Sequence, residues 1–274
     1  MKYYQADHDL LDYLSSVRDS EHYSKISEPL LFIIRALKGE ELYGKTNGSQ
    51  YLLNVALYHR TKLEMTFLTK FLAEISVSPV FFKGILLAEQ LYDNPYVRVV
   101  RDVDFFVPNT QPSTIKSKLV SCGYELMDNE RIDSQHSVFW KNKTMLEFHR
   151  QLYYSKINID EDIFFKAEYS EVLGFTTFDK TITFLNYLYH LYMDSCLHLG
   201  FWKDIPSNVA IRVPGFVYRA YELALFYEKF NLDIDMDLIT RDIDKQNMNV
   251  SFFAMIDGIK TIFRDFPMSP PVVY

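Results

Sequence analysis

Hydrophobic positions along this chain change their period twice. Leu10, Leu11 and Leu14 share one helical face, and Leu30, Leu31, Ile34 and Leu37 repeat the spacing. Helix is therefore predicted over residues 7–38, with a break near Pro29 and a C-cap at Gly39. The mostly polar residues 40–49 read as a loop. A long helix is expected over residues 50–75, with Leu53, Leu57, Leu63, Phe67, Phe71 and Leu72 as its apolar stripe. At Pro79 the texture shifts to short apolar runs. Val80, Phe81 and Phe82 form a strand-type run closed by Lys83-Gly84, and residues 85–91 suit a short helix ending at Asp93-Asn94-Pro95. Residues 103–107 read as a buried strand, followed by a turn at 108–110, a helix over 113–122 and a cap at Gly123. Residues 137–140 and 145–150 look like a strand pair about the polar turn 141–144. Helical spacing returns beyond residue 160, over 184–199, 217–230 and 252–263, and the last eight residues, with three prolines, read as irregular. The expected organisation is an N-terminal helical segment (1–77), an α/β core (78–155) and a C-terminal helical region (156–274).

Composition narrows the setting. Of 274 residues, 48% are hydrophobic and only 9 are glycine, enough apolar material for one large domain or two small ones. The 29 basic residues are outnumbered by 36 acidic ones, for a net charge of −7. A protein that coats nucleic acid usually carries the opposite surplus, so a large nucleic-acid partner is not expected. Cys122 and Cys196 are too few and too far apart for a disulfide framework, which fits a reducing cytoplasm. Neither a signal-type apolar core at the start nor a run of about 20 apolar residues is found, so no membrane partner is expected.

The chemistry concentrates between residues 82 and 149. In Arg101-Asp102-Val103-Asp104-Phe105-Phe106-Val107, an extended backbone sends both aspartates to one face and Val103 and Phe105 to the other. Two adjacent carboxylates repel unless a cation neutralises them, and hard divalent ions take oxygen ligands together with substrate phosphates. In Met145-Leu146-Glu147-Phe148-His149, Glu147 and His149 face away from Leu146 and Phe148. Glu147 on an adjacent strand could complete a three-carboxylate site for two ions. Upstream, Lys83-Gly84 sits between a strand and a helix, where a backbone can approach a phosphate and a helix N-terminus favours its charge. Arg98 and Arg101 are further candidates for phosphoryl charge, and His149 is a candidate at the same site. The competing reading makes Asp102 and Asp104 a solvated strand end, or salt-bridge partners of Arg98 and Arg101. His190, Asp194 and His198 recur every four residues on one helix face, but no third ligand accompanies the two histidines, so this face reads as cleft lining or as a partner for buried carbonyls.

Phe82-Lys83-Gly84, Arg98, Asp102-Val103-Asp104 with its apolar run, Gly123-Tyr124, Leu146-Glu147-Phe148-His149 and Tyr189-His190-Leu191, in that order, resemble the uncharacterised nucleotidyltransferase family of the polymerase-beta-like superfamily. The resemblance implies an α/β (α+β) nucleotidyltransferase core with a small mixed sheet, flanked by N- and C-terminal helices. It also implies a nucleoside triphosphate donor such as ATP, with Mg²⁺ or Mn²⁺ as cofactor. On that basis Asp102, Asp104 and Glu147 are expected to be catalytic and metal-ligating, and Lys83, Gly84, Arg98, Arg101 and His149 nucleotide-binding. The chain departs from the superfamily at Gly84-Ile85, where Gly-Ser or Gly-Gly is usual, and at Arg101, where a small residue is common. Three readings of function remain open: transfer to a small-molecule or peptide acceptor, toxin-like transfer to tRNA or protein, and a non-catalytic nucleotide-binding module. The acidic balance favours the first.

Overall fold

The computed structural model describes residues 4–16, 28–39, 48–107, 112–127, 136–142, 144–149, 167–171, 173–199, 215–245 and 250–268. The expected turn at 108–110, most of the loop at 40–49 and most of the irregular end lie outside these residues. Contacts group the chain into two units, residues 42–183 and residues 1–41 with 184–274.

Among the described residues the first unit has seven strands: β1 (Val80–Phe82), β2 (Asp102–Phe106), β3 (Glu125–Leu126), β4 (His136–Lys141), β5 (Thr144–His149), β6 (Ala167–Ser170) and β7 (Phe175–Phe178). They form one sheet in the order β3-β4-β5-β2-β1-β7-β6. The sheet is mixed: β2 pairs parallel with β5 and β1 parallel with β7, while β1–β2, β3–β4, β4–β5 and β6–β7 are antiparallel. Alternation gives this sheet two different faces. Phe81, Val103, Phe105, Phe139, Leu146, Phe148 and Phe175 point into the main core. That face packs against helices α3 (Gly48–Ala73), α4 (Gly84–Leu91) and α5 (Pro112–Ser121), which contribute Leu68, Leu86 and Ile115 among others. Phe105 and Phe148 stack with ring centroids 5.4 Å apart, and each contributes about 1.5–3 kcal/mol by leaving water. The fold is the expected α/β class, a mixed sheet flanked by helices.

Two local expectations are corrected. The buried face of α3 is Tyr51, Asn54, Tyr58, Thr61, Met65, Leu68 and Leu72, with Phe71 beside it. Leu53 and Leu63 are 49% and 71% exposed, so part of the expected stripe faces outward, while its end at Phe71 and Leu72 is buried as expected. Asn54 and Tyr58 fill the inward positions because the fold supplies partners: Asn54 donates to the Tyr96 carbonyl, and the Tyr58 hydroxyl donates to Glu89. The region read as helical from residue 156 also contains strands, since β6 and β7 extend the sheet beyond β1.

The second unit is helical. Its described elements are α1 (Gln5–Ser16), α2 (Glu28–Leu37), residues 184–199 of α6 (Lys180–Leu199), α7 (Phe216–Phe230), α8 (Met236–Lys245) and α9 (Val250–Ile262). Buried carboxylates here accept hydrogen bonds from tyrosine hydroxyls: Asp7 from Tyr221 at 2.7 Å, Glu222 from Tyr218 at 3.1 Å and Asp242 from Tyr189 at 2.6 Å. Glu228 caps α1 by accepting from the backbone N–H groups of Gln5 and Ala6. Among the described residues no helix is long and apolar enough to cross a membrane.

Candidate active site

The polar face of the sheet gathers the chemistry, and strand register explains how. Across the parallel β2–β5 pair Asp104 stands opposite Glu147 and Asp102 opposite Met145. Across the antiparallel β1–β2 pair Phe82 stands opposite Asp104. Residues at matched positions project to the same side. Phe82, Asp104 and Glu147 therefore form one row across three strands, and His149 lies two residues beyond Glu147 on the same face.

Asp104 is the hub. Its Oδ1 accepts from Lys83 Nζ at 3.2 Å and lies 2.8 Å from His149 Nε2. An ionised carboxylate only accepts, so His149 carries its proton on Nε2 in this contact. The same nitrogen lies 3.5 Å from Glu147 Oε2. One ligand atom from each of Asp104, Glu147 and His149 falls within 4.8 Å of the others. Burial alone would raise the Asp104 carboxyl, but the Lys83 charge and the His149 hydrogen bond outweigh it and hold the carboxyl well below its ordinary range. The matching Lys83 ammonium is pulled down by burial, yet Asp104 and Glu147 raise it on balance.

Asp102 behaves in the opposite way. Burial, followed by repulsion from Asp104 and Glu147, pushes its carboxyl up to about 7, against the smaller pull of Lys83 and Arg98. Three carboxylates thus stand on one sheet face, where one lysine and one histidine attend to Asp104. The atoms that converge, from Asp104, Glu147 and His149, with the surplus negative charge around them, suit a divalent cation.

The turn joining β1 to α4 carries backbone strain. Lys83 adopts φ 60°, ψ −145°, and Gly84 follows at φ 38°. Both φ values are positive, a region that a β-carbon disfavours. Gly84 also abuts the next strand: a β-carbon there would sit 3.5 Å from the Asp102 carbonyl oxygen. Arg98, 9% exposed, donates from Nη1 to the Gly84 carbonyl at 3.0 Å and so buttresses the turn. Gly84 opens α4, so the positive end of that helix lies beside the carboxylates.

These positions gather most of the residues singled out in the sequence. Lys83 and His149 contact Asp104 directly and His149 lies near Glu147, with Asp102 coupled to them electrostatically and Gly84 and Arg98 shaping the adjoining turn. Arg101 stands exposed. The contact from His149 to Asp104 was not visible in the sequence. Its only trace there is the two-residue step from Glu147, which sets both on one face. The side chains of Asp194 and His198 lie outside the described residues.

The uncharacterised nucleotidyltransferase family matches the chain over residues 48–257, more than half its length. The chain belongs to that family. The match takes in the whole site from Lys83 to His149 and continues into the helical unit. No curated protein matches the chain. As a member of a nucleotidyltransferase family, it carries at the family's matched region an acidic cluster suited to a metal ion.

Proposed function

We propose that this protein transfers a nucleoside monophosphate from a nucleoside triphosphate, ATP being the first candidate, to a hydroxyl or similar group of a small-molecule or peptide acceptor, releasing pyrophosphate. The observation that carries the proposal is the facing pair Asp104 and Glu147, with Lys83 and a strained strand-to-helix turn at its edge. Asp102, Asp104 and Glu147 would hold Mg²⁺ or Mn²⁺, which when bound supplies Lewis-acid stabilisation of phosphoryl charge. Lys83 and the Gly84 end of α4 receive the donor phosphates and meet the charge that accumulates on the leaving pyrophosphate. His149 keeps Asp104 oriented through its Nε2–H. Glu147 accepts the proton of the acceptor hydroxyl. One bond forms, from acceptor oxygen to α-phosphorus, and one breaks, from α-phosphorus to the bridging oxygen of pyrophosphate.

The test is incubation with each triphosphate, labelled at the alpha or the gamma phosphorus, in the presence of Mg²⁺ and a cell extract. The proposal expects label to reach an acceptor from the alpha position, and expects Asp104→Asn to lower that transfer at least a hundredfold. Label arriving only from the gamma position makes the protein a kinase and rejects the proposal.

A further inference from the structure

The pairing registers place a second row of side chains directly beside the carboxylate row. Trp140 on β4 is opposite Met145 on β5, and Met145 is opposite Asp102 on β2. All three project from the sheet face that carries Asp104 and Glu147. With neighbouring strands about 4.8 Å apart, Trp140 begins ~10 Å from Asp102 along the sheet. The two residues next to the aspartate are accessible: Trp140 is 40% exposed and Met145 is half-buried. The partly exposed indole contrasts with the closely covered aromatics elsewhere on this face, Phe82, Phe106 and Phe178.

The two sides of the carboxylate cluster differ in chemistry. Towards β1 lie Lys83, Gly84 and the positive end of α4, which suit phosphate oxygens. Towards β4 lie an indole and a thioether, with exposed Glu125 of β3 opposite Trp140. Displacement at phosphorus requires the attacking oxygen and the leaving pyrophosphate to lie roughly in line on opposite sides. If pyrophosphate leaves towards Lys83, the acceptor must approach from the Met145 and Trp140 side.

We propose that Trp140 and Met145 form the acceptor subsite, and that the acceptor presents a flat aromatic or heterocyclic ring, uncharged or cationic, to the indole. This rests on the transferase reading above and adds the substrate class. The ring stacks on Trp140, its hydroxyl reaches Glu147, and the neighbouring carboxylates disfavour an anionic partner.

The test uses full-length Trp202→Phe protein labelled with 5-fluorotryptophan, so that the single fluorine resonance reports Trp140. Tyramine (a cationic phenol), resorcinol (a neutral one), 4-hydroxyphenylacetate (an anionic one) and MgATP are titrated separately. Tyramine or resorcinol should shift the resonance saturably, and 4-hydroxyphenylacetate should not. Ligand-observed titrations of the same phenol should show affinity falling about tenfold in Trp140→Ala and recovering in Trp140→Tyr, as expected for loss and return of a stacking surface. A shift produced by MgATP and by neither phenol means that the indole holds the donor base, and overturns the proposal. The anionic phenol binding as well as the cationic one overturns it too. MgATP binding with no saturable phenol removes the subsite alone, whereas absence of MgATP binding removes the transferase reading and the subsite together.

Discussion

At the scale of single residues, two side chains hold opposing energies. Lys83 sits at a positive φ that costs about 1–3 kcal/mol, and its ammonium is held against buried Asp104. Removing the ammonium leaves Asp104 with His149 as its described polar partner. Lys83→Met is expected to lower metal-free stability by about 3 kcal/mol, because it strands a buried charge. The Tm gain on adding Mg²⁺ should then exceed that of the wild type. Thermal unfolding with and without the ion measures both, and equal gains in the two proteins would contradict the charge balance described. Asp7, in the helical unit, tests the same physics without a metal. Burial raises its carboxyl above the ordinary value of 3.8, despite hydrogen bonds from the Tyr4 backbone and the Tyr221 hydroxyl. The folded protein thus binds this proton more tightly than the unfolded chain does. The associated stability is fully present below about pH 4 and fades as the pH rises through the elevated value. Asp7→Asn should therefore gain stability relative to the wild type as the pH rises from about 4 through the elevated value, read in denaturant titrations. A difference that stays constant across that range contradicts the assignment.

At the scale of elements, the readable parts were those with one clear period. The runs around Phe81 and Phe105 alternate strictly or are apolar throughout, and the strand-to-helix turn at Lys83-Gly84 separates two different periods. The helix α3 lies where it is expected along the chain, and Phe71 and Leu72 are buried as expected, but Leu53 and Leu63 face outward. Leu52, Leu53 and Leu63 stand on its exposed side, while Asn54 and Thr61 occupy buried positions that hydropathy scores as outward. Leu63→Ser is expected to change stability by less than about 0.5 kcal/mol, whereas Phe105→Ala should cost about 3–5 kcal/mol. Similar losses for both would restore the leucine stripe as the buried face. The strands β6 and β7 escaped detection for a different reason. Each has four residues, and β6 at the sheet edge reads Ala-Glu-Tyr-Ser, with no apolar alternation to mark it. The site was legible as a set of residues on shared faces. The register that sets Glu147 against Asp104 was not, because β2 and β5 pair in parallel across an intervening helix and two strands.

At the scale of the molecule, a net charge of −7 accompanies a site whose described charged groups are three carboxylates, Lys83 and Arg98, with His149 beside them. Such a balance of charge favours a cation over an anion at the carboxylates. The matched family region runs past the sheet unit into the helical unit, so the family's sequence pattern constrains more than the sheet. Asp102, Asp104 and Glu147 are proposed to bind one metal–nucleotide complex together. Isothermal titration of ATP into the wild type, Asp104→Asn and Glu147→Gln, each with and without Mg²⁺, addresses it directly. Binding by the wild type is expected to require Mg²⁺ and to weaken at least tenfold in either variant, about 1.4 kcal/mol or more. Binding that is indifferent to Mg²⁺, or equal in all three proteins, would contradict it.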